Sequence, residues 1–392
     1  MSIKKPKMPI RNVKLFYLFS FLDGFWPCAP FLVIYFADIA GSFTLAMSLG
    51  AIRNFTITCM EVPTGILSDK FKRKYITFMG AVSIFVAACL YLVAESYAVL
   101  VVASLFYGLY TALMSGNNEA LIYASLKEGK REKDFHEVLG RKEGFYKFSF
   151  GLSALVGAGI VWFFGIRETF YVMVVTSVLM MITVSKLVEP KAKVDKVNDN
   201  PFVHFRKSFK NVWKSKRLRY LTIASSLDYG IGMAAYDFIS VFFNRFIPTW
   251  LIGVLRTVAY FLGSIGSFLS YKISSCFGYT KTIMTFIGLN YLVNILSVLA
   301  NSAVSPFIKV FDAFTYSVAA PAQDTLMQNR FTDEQRATMG SVISLFRSIV
   351  YGVCSLIVGI VADVFSEYVS LIIMYVAFFF LLPIYYKGLK AK

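Results

Sequence analysis

Long apolar stretches separated by short polar breaks run through almost the whole chain. Twelve of them can be marked: 13–37, 44–68, 75–94, 97–121, 144–164, 168–187, 218–243, 248–271, 280–300, 303–327, 338–362 and 368–386. Each holds about 20 residues or more, the length that crosses a hydrocarbon core of roughly 30 Å as a helix. The pattern predicts an all-α membrane protein with twelve transmembrane helices. The longest polar interruption, 188–217, divides the chain into a first half at 1–187 and a second at 218–392. This segment reads as a cytoplasmic linker. Its later part, 202–213, reads either as a basic amphipathic helix on the membrane surface or as a plain charged linker.

The halves repeat. FLDG at 21–24 matches LDYG at 227–230 with one insertion, and LGAIR at 49–53 matches IGVLR at 252–256. SGNNEAL at 115–121 matches APAQDTL at 320–326, setting Asn118 and Glu119 over Gln323 and Asp324. Three matches in one order at nearly one offset predict two pseudo-symmetric six-helix bundles. Six spans return the chain to its starting side, so the repeats are parallel, related by an axis along the membrane normal.

Composition agrees with this reading: 57% of residues are hydrophobic and 16% charged, against about 25% charged in soluble domains. The net charge of +17 would suit a nucleic-acid partner, but its distribution points elsewhere. With both termini inside, the outward loops contain Arg167 and Arg245 as bases, against Asp38, Glu95, Glu168, Asp363 and Glu367. The remaining loop bases lie on the other side, which is positive-inside asymmetry. It predicts a multi-pass protein of the cell membrane with cytoplasmic termini, and no nucleic-acid partner. The five cysteines form no C-x-x-C pair, and both histidines, His136 and His204, fall in predicted loops. Neither a disulfide framework nor a metal site is expected. No Walker A loop, nucleophile elbow or dinucleotide fingerprint is present. The expectation is a non-enzyme without cofactors, driven by an ion or substrate gradient.

At the predicted cytoplasmic end of the second span stands GILSDKFKRK, residues 65–74. It resembles the loop between helices two and three of the major facilitator superfamily, G-x-L-x-D-[RK]-x-G-[RK]-[RK]. Gly65, Leu67, Asp69, Lys70, Arg73 and Lys74 match, and Lys72 stands where the family usually has glycine. Twelve spans, a basic linker and the parallel repeat extend the resemblance over nearly the whole chain. It implies a secondary carrier working by alternating access, in which two bundles rock about a midplane site. It also implies that Asp69 helps to latch the cytoplasmic side, with the bases at 70, 73 and 74 organising it. The bland reading of 69–74 is a solvated basic turn. Span four lacks the arginine of proton-coupled drug exporters, and GLSALVGAGI at 151–160 lacks their Gly-Pro signature.

Ionisable residues deep in a span are costly and usually functional. At 1.5 Å per residue, Asp23 and Arg53 both fall near ~15 Å of depth, from opposite sides. Asp228 and Arg256 lie at matching depths in the second half, Arg347 is near mid-span, and Lys309 and Asp312 stand at i, i+3, close enough to pair. Two readings are open: acid–base pairs that hold helices together, or a substrate and proton site made of Asp23, Arg53, Asp228, Arg256, Asp312 and Arg347. Glu61, Glu119 and Asp324 fall at cytoplasmic helix ends. They read as an inner gate, the last two pairing with Arg141, Lys142 or Arg336, or as solvated ends. The expected function is proton-coupled export of an organic compound by a monomeric antiporter in the bilayer. An organic-anion carrier and a non-transporting receptor on the same fold are the alternatives.

Overall fold

The computed structural model describes residues 7–190, 216–328 and 333–390. The expected surface helix at 202–213 lies outside the described residues. The helices are α1 Lys7–Gly24, α2 Leu32–Ala40, α3 Phe43–Lys70, α4 Arg73–Leu92, α5 Tyr97–Met114, α6 Asn117–Glu128, α7 Phe135–Phe163 and α8 Thr169–Ser185 in the first half. The second half has α9 Lys216–Phe243, α10 Thr249–Phe277, α11 Tyr279–Leu299, α12 Ser305–Gln328, α13 Asp333–Val364, α14 Glu367–Phe379 and α15 Leu381–Lys390. Eight helical segments among the described residues are long and apolar enough to cross a membrane. α3, α9 and α12, of 28, 28 and 24 residues, are also long enough to cross, and α8 is a shorter apolar helix. All twelve expected stretches are largely helical; the fourth, 97–121, is divided at Ser115 and Gly116 between α5 and the start of α6.

Two further spans depart from a single rod. The expected first span, 13–37, is broken between Gly24 and Leu32. Pro27 and Pro30 lack the N–H groups that would continue the ladder, and a 3-10 turn at Ala29–Phe31 fills the gap. The last span divides at Phe380, and Pro383 sits in the first turn of α15, where a missing N–H is tolerated. Gly41 closes α2 with φ of 71°, a left-handed cap that glycine adopts without strain.

Contacts divide the chain into two compact units: residues 1–29 with 52–198, and residues 30–51 with 199–392. In the first, α1 packs on α7 and α8, and α4 on α5 and α8. Small residues make this close approach possible. A side chain at Gly24 would strike the Tyr146 carbonyl, and one at Gly157 the Pro27 carbonyl. Ser149 donates to the Phe21 carbonyl, tying α7 to α1. In the second unit, α10 and α11 pack on α12, and α9 on α13. A side chain at Gly230 would strike Val350 and the Tyr351 backbone.

The two glycine crossings are the repeat in three dimensions. Tyr351 follows Tyr146 by 205 positions and Gly230 follows Gly24 by 206. The same helix pair of each half therefore meets at the same glycine. The outer surface is apolar, with Phe268 86% and Phe163 75% exposed, as expected where lipid is the solvent.

Candidate functional site

Asp23 occupies the last turn of α1, directly before the broken segment. Its carboxylate accepts a hydrogen bond from the Tyr110 hydroxyl of α5. Around it, Trp26 and Tyr107 rings lie 4.7 Å apart, Tyr107 and Tyr110 6.1 Å apart, and the Arg53 guanidinium lies 5.2 Å from the Tyr107 ring. Lys142 and Glu143 on α7 are the charged groups whose fields reach Asp23, and these two pair with each other at 3.3 Å.

Asp228 lies in the middle of the unbroken α9. It accepts from Tyr291 of α11 at 2.6 Å and from Tyr385 of α15 at 3.2 Å. The Tyr291 ring stacks on Phe378 at 4.5 Å, which fixes its hydroxyl. Arg347 and Asp312 are the charged groups that reach Asp228, and the Arg347 guanidinium sits 5.2 Å from the Tyr229 ring. Arg347 follows Lys142 by 205 positions, as Asp228 follows Asp23. The duplicated unit is thus an acid on the first helix of each half, a base on the fifth, and a tyrosine one turn further on.

This corrects the expected pairs Asp23–Arg53 and Asp228–Arg256. Neither acid forms an ion pair among the described residues; both are held by tyrosine hydroxyls. Arg256 instead donates to the Tyr236 carbonyl at 2.8 Å and Ser240 Oγ at 3.2 Å, with its guanidinium 3.8 Å from the Tyr236 ring. Counting residues along a helix fixes depth but not the partner: Arg53 lies against Tyr107 beside Asp23, while the Asp23 carboxylate takes the Tyr110 hydroxyl.

Lys309 and Asp312 do pair, at 3.0 Å. Asp312 also accepts from Asn290 at 2.5 Å and Asn294 at 2.8 Å, and Lys309 donates to Asn294. Asn290 and Asn294 are buried in α11, so the ion pair is enclosed by side-chain amides. Asp237, which the sequence reading passed over, accepts from Tyr351 at 2.7 Å. The visible signal was a second acid, besides Asp228, within the apolar run 218–243.

The motif loop turns at Phe71 and Lys72. Lys72 has φ of −63° and ψ of 131°, an extended conformation open to any residue, so lysine stands without strain where the family has glycine. The α4 N-terminus is capped from a distance. Glu189, at the start of the 188–217 segment, accepts from the backbone N–H of Arg73 at 3.0 Å and Lys74 at 2.9 Å. Lys74 Nζ donates to the Ser185 carbonyl at 2.7 Å. Asn12 holds the adjoining residue, exchanging bonds with the Val188 backbone at 2.8 and 3.1 Å. A carboxylate on exposed helix N–H groups also meets the positive end of the helix dipole. Sequence spacing could not show this contact, because its partners are about 115 residues apart.

The remaining gate residues are scattered. Gly65 and Lys70 are exposed, as are Glu61 and Glu119. Arg141 pairs with Glu137 at 2.6 Å and Lys142 with Glu143 at 3.3 Å, so neither takes the expected partner Glu119. For Arg141 an acid four residues earlier on the same helix is the nearer choice. The side chains of Asp69, Asp324 and Arg336 lie outside the described ones. Beside Glu119, Asn117 and Asn118 are buried, and Asn117 donates to the Arg73 carbonyl at 3.1 Å and Thr77 Oγ1 at 2.9 Å. The SGNN segment therefore anchors the end of span four to the motif helix.

A family model described as Major Facilitator Superfamily matches residues 15–353. The chain belongs to the Major Facilitator Superfamily. Solved structures of this superfamily member's fold include the nucleoside transporter NupG, with TM-score 0.82 and 12% identity over 99% of this chain and 100% of that one. The D-xylose-proton symporter is similar with TM-score 0.74 and 13% identity, covering 95% and 97%. A bacterial homologue of the human lysosomal transporter Spinster gives 0.74 and 14% over 99% and 98%. At such identities the likeness concerns the fold. An uncharacterized transporter, BU466, of Buchnera aphidicola subsp. Acyrthosiphon pisum (strain APS) is 27% identical over 174 residues, 44% of this chain and 43% of that protein. The matched stretch thus spans under half the length of this curated relative. The protein is a multi-pass membrane protein of this superfamily.

Proposed function

We propose that the protein is a secondary carrier that exchanges protons for a small organic compound. With an inward proton gradient this exchange is export. The observation that carries the reading is the pair Asp23 and Asp228: repeated at one offset, at membrane depth, and hydrogen-bonded by tyrosines with no ion pair among the described residues. A charge at that depth is expensive, and a carboxyl is neutralised by a proton as well as by a cationic or hydrogen-bonding substrate group. One carboxyl that holds either a proton or the substrate makes the two take turns, which is antiport. Asp69 and the bases around it remain the proposed cytoplasmic latch.

The test is a screen of the purified protein in liposomes holding a pH-sensitive dye, with metabolites, drugs and organic anions offered outside. At least one compound is expected to release or consume internal protons in the presence of the protein. Thermal stabilisation by a compound that never crosses the bilayer would replace the carrier reading by a receptor.

A second reading, carriage of an organic anion, is favoured by Arg347. Its Nε is buried and finds no acceptor among the described residues, which suits a donor awaiting an anionic group. In the screen this reading predicts movement of anions independent of the pH gradient.

The charge asymmetry supports a cytoplasmic position for both termini and the 188–217 segment in a cell-membrane protein. In a background lacking the native cysteines, Asn198→Cys is expected to resist an impermeant thiol reagent in intact cells. Labelling without permeabilisation would invert the orientation.

A further inference from the structure

In the second compact unit, residues 30–51 pack against helices that come some 300 residues later. Asp363, in the last turn of α13, reaches the start of α3. Its Oδ1 accepts from Phe43 N–H at 2.8 Å, and its Oδ2 accepts from Thr44 N–H at 2.9 Å, Thr44 Oγ1 at 2.6 Å and Ser42 Oγ at 2.7 Å. One carboxylate therefore satisfies two orphan N–H groups and two hydroxyls at a helix N-terminus, where the dipole also favours an anion.

The contact continues along both helices. A side chain at Gly359 would strike the Thr44 backbone, one at Gly352 meets Ala51, and one at Gly50 would strike the Tyr351 hydroxyl. Residue numbers fall on α13 as they rise on α3, so the two run antiparallel for about two turns. Phe43 meets Phe238 of α9 edge-on at 5.5 Å, and Tyr351 donates to Asp237.

We infer that Asp363 is a positioning residue of the transport cycle: it clasps the start of α3 onto α13, and the 30–51 hairpin separates from α13 when this end of the protein opens. Three features fit a separable contact rather than a permanent one. Glycines at 50, 352 and 359 line the seam, so Tyr351 lies against a surface that carries no interlocking side chain. Asp363 itself is exposed, so water can replace its hydrogen bonds. The hairpin is flanked on one side by the break at 25–31, where the backbone can bend. No residue of the motif at 65–74 takes part, so this clasp belongs to the opposite end of the spans.

The inference rests on the transporter reading but not on proton coupling, and its test uses neither substrate nor protons. In a background without native cysteines, Ala51→Cys and Gly352→Cys place Cβ atoms 3.8 Å apart, the usual separation in a disulfide. Mild oxidation with copper phenanthroline is expected to join them. Adding Asp363→Asn is expected to slow the joining and to speed N-ethylmaleimide labelling of Ala51→Cys alone, each by about tenfold, the loss expected when a charge-assisted cluster is cut back to neutral bonds. Thr44→Val, which removes one donor, should shift both rates in the same direction by less. Ala103→Cys, buried in the first unit, should stay protected throughout. Unchanged rates in Asp363→Asn would overturn the inference, and so would equal gains at Ala51→Cys and Ala103→Cys, which would report general unfolding.

Discussion

Asp23→Asn and Asp228→Asn are each expected to lower proton movement driven by substrate at least about tenfold, a difference of 1.4 kcal/mol, while the proteins insert and melt near the wild type. Asparagine keeps the size of the side chain and still accepts from Tyr110, or from Tyr291 and Tyr385, so the local packing survives. What it loses is the exchangeable proton. Exchange of substrate on one side for substrate on the other needs no proton, so that activity should persist in at least one variant. Separating these two readouts is what makes the experiment decisive. Retained proton coupling in both variants would remove the carboxylates from the mechanism. A large fall in melting temperature would instead make them helix anchors. The neighbouring bases give a further control. Lys142→Gln and Arg347→Gln, which leave both carboxyls in place, should not abolish coupling.

Lys309→Met should be the most destabilising of the single changes considered. It strands Asp312 in a pocket formed by Asn290, Asn294 and Thr315. Removing one partner of a buried pair typically costs about 3–5 kcal/mol, because the other charge is left uncompensated. Lys309→Met combined with Asp312→Leu should recover much of that loss, since a buried pair is often matched by apolar residues of similar volume. Melting temperatures of the two variants in one detergent make the comparison. If Lys309→Met melts like the wild type yet fails to transport, the pair belongs to the transport machinery rather than to the scaffold.

The contrast between these two sites shows what the sequence could reveal. The spans were readable because a membrane helix needs a long run of apolar residues, a requirement written in consecutive positions. The acids Asp23 and Asp228 were readable for the same reason, as rare charges in those runs. Their partners were not. Tyr110, Tyr291 and Tyr385 look like ordinary aromatic residues of apolar helices, and nothing local tells which face they share with an acid. The offset of 205 also relates Lys142 to Arg347 and Tyr146 to Tyr351. Depth alone suggested Arg53 and Arg256 as counter-ions. The break in the first span was visible in WPCAP at 26–30, yet hydropathy passes over it because every residue there is apolar or nearly so. Glu189 and Asp363 were out of reach entirely, because each caps a helix whose start lies more than a hundred positions away.

The break at 25–31 has no counterpart in α9, which runs unbroken from Lys216 to Phe243. A jointed rod and a stiff rod respond differently to the same load. Strain applied to an intact helix spreads along its whole ladder of hydrogen bonds, whereas in an interrupted one it collects at the gap. Elastic compliance in this duplicated scaffold is therefore lopsided. In the first half, deformation is focused within a few residues of Asp23, so that flexing alters the surroundings of that carboxylate. In the second half, Asp228 rides on a stiff strut, and its surroundings change only when whole helices move. The copied sequence has thus given rise to one acid at a joint and one on a beam.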